Sequence, residues 1–189
     1  MYLFFDTETT GVPLNYKAPM TDLSNWPRLV QIAWIFHDKN GYTLSKESFI
    51  IKPNGFNIPI AASNIHGITT DHALRNGVDL LFVLQKFSSH LNSAQYLVAH
   101  NISFDKNIVG AELIRNKIHN AIPNKQLLCT MEKSTNFCAL LGPYGYKWPK
   151  LTELHQKLFN NGFDGAHDAL ADITATAKCF WELRKRNLI

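Results

Sequence analysis

The chain has 189 residues, with 19 Lys and Arg against 15 Asp and Glu and a formal net charge of +4. A hydrophobic content of 46% with 18% charged residues excludes a disordered or fibrous chain. The length suits one domain, residues 1–189, with a full core. No apolar run is long enough to span a bilayer, so no membrane partner is expected. The mild positive charge permits a polyanionic partner without demonstrating one. Cys129, Cys138 and Cys179 are an odd set without Cys-x-x-Cys spacing. They are expected to be reduced thiols in a cytoplasmic protein, with Cys179 a buried structural thiol.

Met1–Asp6 lacks the basic start and small-residue cleavage site of a signal peptide, and residues 2–6 read as a buried strand. Residues 12–27 carry Pro13, Pro19 and Pro27 and read as a loop. Residues 29–37 and 42–52 read as two strands, joined by the hairpin turn Asp38-Lys39-Asn40-Gly41. A short helix is expected at 60–65, and Thr70 or Asp71 is expected to cap the next. Leu80, Leu81, Leu84, Phe87 and Leu91 predict a helix over 78–91. A fourth strand follows at 95–99 and a helix at 103–117. A fifth strand is expected at 125–129, then a short helix near 131–137 and a loop at Gly142-Pro143-Tyr144-Gly145. Helices over 150–159 and 168–187 complete the chain. The order predicts an α/β fold with a mixed five-stranded sheet flanked by helices.

The chemistry lies in the polar residues set among these apolar runs. Asp6 and Glu8 stand two apart, so an extended strand points both to one side. Two anions so placed repel each other unless a cation lies between them, and oxygen ligands suit a hard divalent ion. Asp105 opens the helix after the fourth strand, and Asp172 lies in the first turns of the last helix. Taken singly, Asp105 and Asp168 also read as carboxylates favoured at a helix start. A carboxylate beside an apolar helix face, as at Asp172, needs a partner or a metal. His167 must enter from the preceding loop to meet Asp172.

These residues fall into three ordered motifs. They are Phe5-Asp6-Thr7-Glu8-Thr9-Thr10-Gly11, His100-Asn101-Ile102-Ser103-Phe104-Asp105 and His167-Asp168-Ala169-Leu170-Ala171-Asp172. Together they resemble the DEDDh family of 3′–5′ exonucleases, the group of the polymerase proofreading subunit, oligoribonuclease and the RNase T type enzymes. Ile65-His66-Gly67-Ile68-Thr69 is similar to a further family element. The resemblance implies a ribonuclease H-like fold and two ions, Mg²⁺ or Mn²⁺, in one site. It implies that Asp6 bridges both ions, that Glu8 and Asp172 hold the ion that activates water, and that Asp105 supports the second. It makes His167 the general base, for which an imidazole is suited near neutrality. It also points to the backbone of Thr7 to Thr9 and to His66 as contacts for the terminal nucleotide. Phe104 reads equally as a base-stacking wedge or a core residue.

The activity implied is release of nucleoside 5′-monophosphates from the 3′ ends of single-stranded nucleic acid, DNA favoured and RNA possible. Two other readings stay open: a catalytically silent nucleic-acid-binding domain, and a phosphohydrolase of very short oligonucleotides. A homodimer and a polymerase partner also stay open. Trp26, Tyr144 and Trp148 lie in loops, where packing is expected ahead of stacking on bases. Lys178 and Arg184-Lys185-Arg186 read as a solvated helix end favoured by the macrodipole, or as a contact to phosphates.

Overall fold

A computed structural model describes residues 1–189. Its centre is a sheet of order β3-β2-β1-β4-β5. The first three strands are β1 (Tyr2–Thr9), β2 (Leu29–His37) and β3 (Thr43–Ile50), joined antiparallel. The turn between β2 and β3 is the expected one, with Asp38 Oδ1 accepting from the Asn40 and Tyr42 amides. Gly41 has φ +90°, and a Cβ there would meet the Trp181 ring at 3.1 Å, so only glycine fits. The strands β4 (Tyr96–Ala99) and β5 (Gln126–Cys129) run parallel to β1.

Alternation along β1 builds two cores. Leu3 and Phe5 face a large cluster with Trp34, Phe87 and Leu91, closed by α3 (Leu80–Ser93) and α4 (Ile102–Arg115). Tyr2 and Phe4 face α8 (Ala169–Lys185), against Ala169, Ile173, Ala177 and Phe180. Between these lie α1 (Ile60–His66), α2 (Thr70–Asn76), the short turns α5 (Thr130–Lys133) and α6 (Thr135–Cys138), and α7 (Leu151–Phe159).

Several expected boundaries move, each for a local reason. β1 runs to Thr9, because β2 continues to pair with it past the apolar run, through Asp6↔Ala33 and Glu8↔Gln31. The cap of α2 is Thr69, whose hydroxyl accepts from the His72 amide at 3.1 Å, rather than Thr70 or Asp71. Thr70 is already helical, and its hydroxyl instead accepts from the Ile58 amide at 2.9 Å. The expected loop at 142–145 is the turn of a small hairpin, β6 (Leu141–Gly142) and β7 (Gly145–Tyr146). Asp168 is the N-cap of α8, accepting from the Leu170 and Ala171 amides. All three cysteines are buried, as read for Cys179, whose thiol is pushed up to about 12 by burial. No helix is long and apolar enough to cross a membrane.

One buried charge fastens α4 to the sheet. Glu112 is fully buried and its Oε1 lies 2.8 Å from Arg28 Nε and 3.0 Å from Arg115. The same oxygen accepts the Leu29 amide at 3.2 Å, where β2 begins. Glu112→Ala strands two arginines and a backbone amide. We expect a loss of about 3–5 kcal/mol in urea denaturation, while Lys86→Ala, at a partly exposed ion pair with Glu47, costs about 1 kcal/mol or less.

Candidate active site

β1 outruns β4. Their pairing ends at Phe4↔Val98, so the last residues of β1 have an unpaired edge on that side. The first turn of α4 closes this edge. Asp105 Oδ1 accepts both the Thr7 amide, at 3.1 Å, and the Thr7 hydroxyl, at 2.7 Å. The sheet therefore fixes one carboxylate through the strand that carries the other two. A register shift in the β1–β2 pairing falls between Glu8 and Thr9, where the chain leaves the sheet.

Asp6 and Glu8 follow Tyr2 and Phe4 on the α8 side of β1. The first turn of α8 brings Asp172 to them. His167 sits in the preceding loop at φ +71°, a left-handed conformation uncommon for a residue with a side chain. Its amide donates to Asp172 Oδ2 at 3.1 Å. A ligand atom of each of Glu8, His167 and Asp172 falls within 4.8 Å of the others. Gln31, opposite Glu8 on β2, docks the start of α8. It donates to Asp168 Oδ2 at 3.2 Å and accepts the Ala169 amide at 3.2 Å. Sequence reading missed Gln31, although one polar residue inside Leu-Val-Gln-Ile-Ala-Trp-Ile is a visible signal.

The electrostatics of this cluster are unbalanced. Burial, then the charges of Asp105, Asp172, Glu8 and Asp168, raises the Asp6 carboxyl well above its ordinary value. Glu8 is pushed up to about 8 by burial and by Asp172 and Asp105. Asp105 is raised to about 7 by burial, although both Thr7 bonds pull it down. Asp172 is raised by burial and partly relieved by His167. None of the protein's Lys–carboxylate or Arg–carboxylate pairs involves these four residues. Four crowded oxygen donors without a protein cation suit hard divalent ions such as Mg²⁺ or Mn²⁺.

Beside the carboxylates is a cleft of about 310 Å³, walled by Thr7 to Val12 on one side and Ile65 and His66 on the other. Phe104 lines it too and also packs against the large core. The hydroxyls of Thr7 and Thr9 are engaged internally, with Asp105 and with the Gly11 carbonyl at 2.6 Å. Their backbone is what the cleft presents. His66 Nδ1 accepts from the Ile68 amide at 3.1 Å, and its Nε2 is buried without a hydrogen-bond partner. Burial holds the His66 ring below its usual pKa.

The aromatic loop residues divide. Trp26 is buried, its indole donating to the Pro19 carbonyl. Tyr144 and Trp148 are exposed, against the packing expected of them. The basic end of α8, Arg184-Lys185-Arg186, is exposed, as the solvated reading expects. Arg184 donates to the Tyr2 hydroxyl and lies over the Tyr2, Phe180 and Trp181 rings. At 1.5 Å per residue it lies about 18 Å along the helix from Asp172.

A family model described as an exonuclease, of the RNase T type, matches residues 3–180. The chain belongs to this exonuclease family. Among its relatives is a PolC-type DNA polymerase III of Listeria welshimeri, 29% identical over 184 residues, spanning 97% of this chain and 11% of the relative. The 3′-5′ exonuclease DinG of Bacillus subtilis is 30% identical over 185 residues, spanning 98% of this chain and 18% of the relative. This chain thus covers a small part of these curated relatives' length.

Among solved structures, Escherichia coli exonuclease I bound to a dT13 oligonucleotide superimposes with a TM-score of 0.79 at 22% identity, covering 98% of this chain and 41% of that one. A zinc-bound form of that enzyme's single-stranded DNA complex gives 0.74 at 24% identity, covering 98% and 40%. These neighbours show the shared fold, which is ribonuclease H-like. The resemblance carried by the three motifs is therefore borne out for family and fold. In this exonuclease-family chain, Asp6, Glu8, Asp105, His167 and Asp172 converge from one strand end, two helix starts and the loop before the second helix. The carboxyl ends of neighbouring parallel strands β1 and β4 are where an open α/β sheet forms its crevice.

Proposed function

We propose that this chain is a metal-dependent 3′–5′ exonuclease, acting as one domain over residues 1–189. It hydrolyses phosphodiester bonds at the 3′ ends of single-stranded nucleic acid and releases nucleoside 5′-monophosphates. One observation carries the reading: four carboxylates and a histidine share one small volume with no protein cation to balance them. A merely binding domain gains nothing from such crowding, since each charge raises the cost of its neighbours.

Asp6, Glu8, Asp105 and Asp172 would hold two divalent ions, Mg²⁺ or Mn²⁺, with Asp6 shared between them. Such ions, when bound, stabilise charge on the attacking and leaving oxygens. The rest belongs to the chain. Thr7 keeps Asp105 oriented through two hydrogen bonds. The Thr7–Thr9 backbone and His66 hold the terminal nucleotide in the cleft, and Phe104 meets its base. A ring nitrogen of His167 takes the proton of the attacking water, beside Glu8 and Asp172. DNA is the favoured substrate, since the fold neighbours include exonuclease I on DNA oligonucleotides and the relatives include polymerases.

Chromatography of the products from matched DNA and RNA strands tests this reading. Nucleoside 5′-monophosphates are expected, released faster from DNA. Internal fragments, or nucleoside 3′-monophosphates, contradict it.

A further inference from the structure

The hairpin β6–β7 and the segment after it expose large apolar side chains as far as Trp148. Leu141 is 84% exposed, Tyr144 fully exposed, Tyr146 52% and Trp148 63%. From Ala139 to Lys150 the chain has two lysines, Lys147 and Lys150, and no acid; Lys147 Nζ pairs with Glu153 Oε1 at 2.6 Å, which leaves Lys150 as the cation without an ion-pair partner. Tyr146 and Trp148 are alternate residues, which an extended chain turns to one side, and Tyr144 stands at the tip of the hairpin turn.

This segment is rooted at the rim of the carboxylate cluster. His100 Nε2 lies 2.9 Å from the Pro149 carbonyl, and its Nδ1 lies 3.0 Å from the Thr130 hydroxyl. A carbonyl only accepts, so Nε2 carries the proton and Nδ1 receives the Thr130 hydroxyl. His100 thereby ties Pro149 to the end of β4, five residues before Asp105. The terminal-nucleotide cleft lies on the other flank, where α1 packs with β2 and β3 through Ala62, Val30 and Ile50. The carboxylates thus stand between a nucleotide-sized cleft and an exposed aromatic finger.

We propose that this finger binds the single strand on the 5′ side of the scissile bond, with Tyr144, Tyr146 and Trp148 stacking on bases and Lys150 beside the phosphates. The proposal rests on the exonuclease reading for the strand's direction. Continuity with the carboxylate cluster and the unpaired charge of Lys150 favour nucleic acid over a protein as the occupant. Aromatic faces stack on any base, so the finger confers affinity for length and little sequence preference.

The test combines Tyr144→Ser, Tyr146→Ser and Trp148→Ser; all three side chains are exposed, so folding is spared. With an oligonucleotide of about 20 nucleotides, Kd by fluorescence anisotropy in EDTA and KM in Mg²⁺ are both expected to rise about 10-fold or more. kcat on the p-nitrophenyl ester of thymidine 5′-monophosphate, which has no upstream strand, is expected to stay unchanged. Unchanged Kd and KM for the oligonucleotide overturn the proposal, and point to a protein or a second copy as what meets the finger. Loss of activity on the short ester as well also overturns it, because the residues would then shape the reaction centre. If the unsubstituted protein cleaves neither probe, the exonuclease reading fails, and the anisotropy comparison still decides whether the finger holds a strand.

Discussion

Asp6→Asn is expected to abolish hydrolysis while making the metal-free protein more stable. The substitution removes a carboxylate that burial and four neighbouring anions raise well above its ordinary pKa. It keeps the shape of the side chain and removes one like charge from Glu8, Asp105 and Asp172. Loss of this proposed metal ligand should lower kcat about 1,000-fold or more, since stabilisation of charge at the transition state is commonly the largest catalytic contribution. Relief of repulsion should raise the Tm of the apo protein by about 2–5 °C.

The pH dependence follows from the same charges. Glu8 is raised to about 8 and Asp105 to about 7, above the values near 4 that they take in the unfolded chain. Between those limits the folded state binds more protons than the unfolded state. Stability is therefore fully present below about pH 4 and is lost as pH rises through 7 and 8. Calorimetric scans of the metal-free protein should show Tm falling across that window, with a shallower fall in Asp6→Asn. Mg²⁺ or Mn²⁺ should raise Tm more at pH 8 than at pH 5, because the ligands are then already deprotonated. A metal-induced shift equal at both pH values would separate the ions from these carboxylates.

His167→Ala should depress the rate about 100- to 10,000-fold while keeping most divalent-ion binding. The backbone amide, which donates to Asp172 Oδ2, survives this change. His167→Asn should match it, because Asn tolerates the left-handed backbone and supplies no comparable base. Titration calorimetry with Mn²⁺ separates base from ligand, which matters because the ring approaches Glu8 and Asp172 within ligand-sharing distance. Retained binding with a depressed rate fits a base. Lost binding makes His167 a metal ligand.

The carboxylates were legible in the sequence because they interrupt patterns. Asp6 directly follows Leu3-Phe4-Phe5, and Asp172 lies within an apolar helix, so each stands where burial is expected. The strands β2, β4 and β5 were legible as apolar runs, and Asn40-Gly41 marked its turn. Geometry that depends on a distant partner was not legible. Thr70 and Asp71 read as capping candidates, but the Ile58 loop claims the Thr70 hydroxyl and Thr69 caps instead. Trp26 and Trp148 read alike as loop tryptophans. One is buried by the turn around Pro19, and the other is held out beyond a hairpin whose strands are two residues each. His100 and Gln31 act by bridging elements far apart in sequence, which local pattern does not report.

The central claim is that this carboxylate cluster uses divalent ions to shorten a strand from its 3′ end. It is tested most directly by digesting a 5′-labelled single strand with Mg²⁺, Mn²⁺ or EDTA, beside the Asp6→Asn variant. The account expects a ladder that shortens one nucleotide at a time from the 3′ end with either ion, and an intact strand in EDTA and with the variant. A ladder that persists in EDTA, or one that Asp6→Asn produces at the unsubstituted rate, contradicts it.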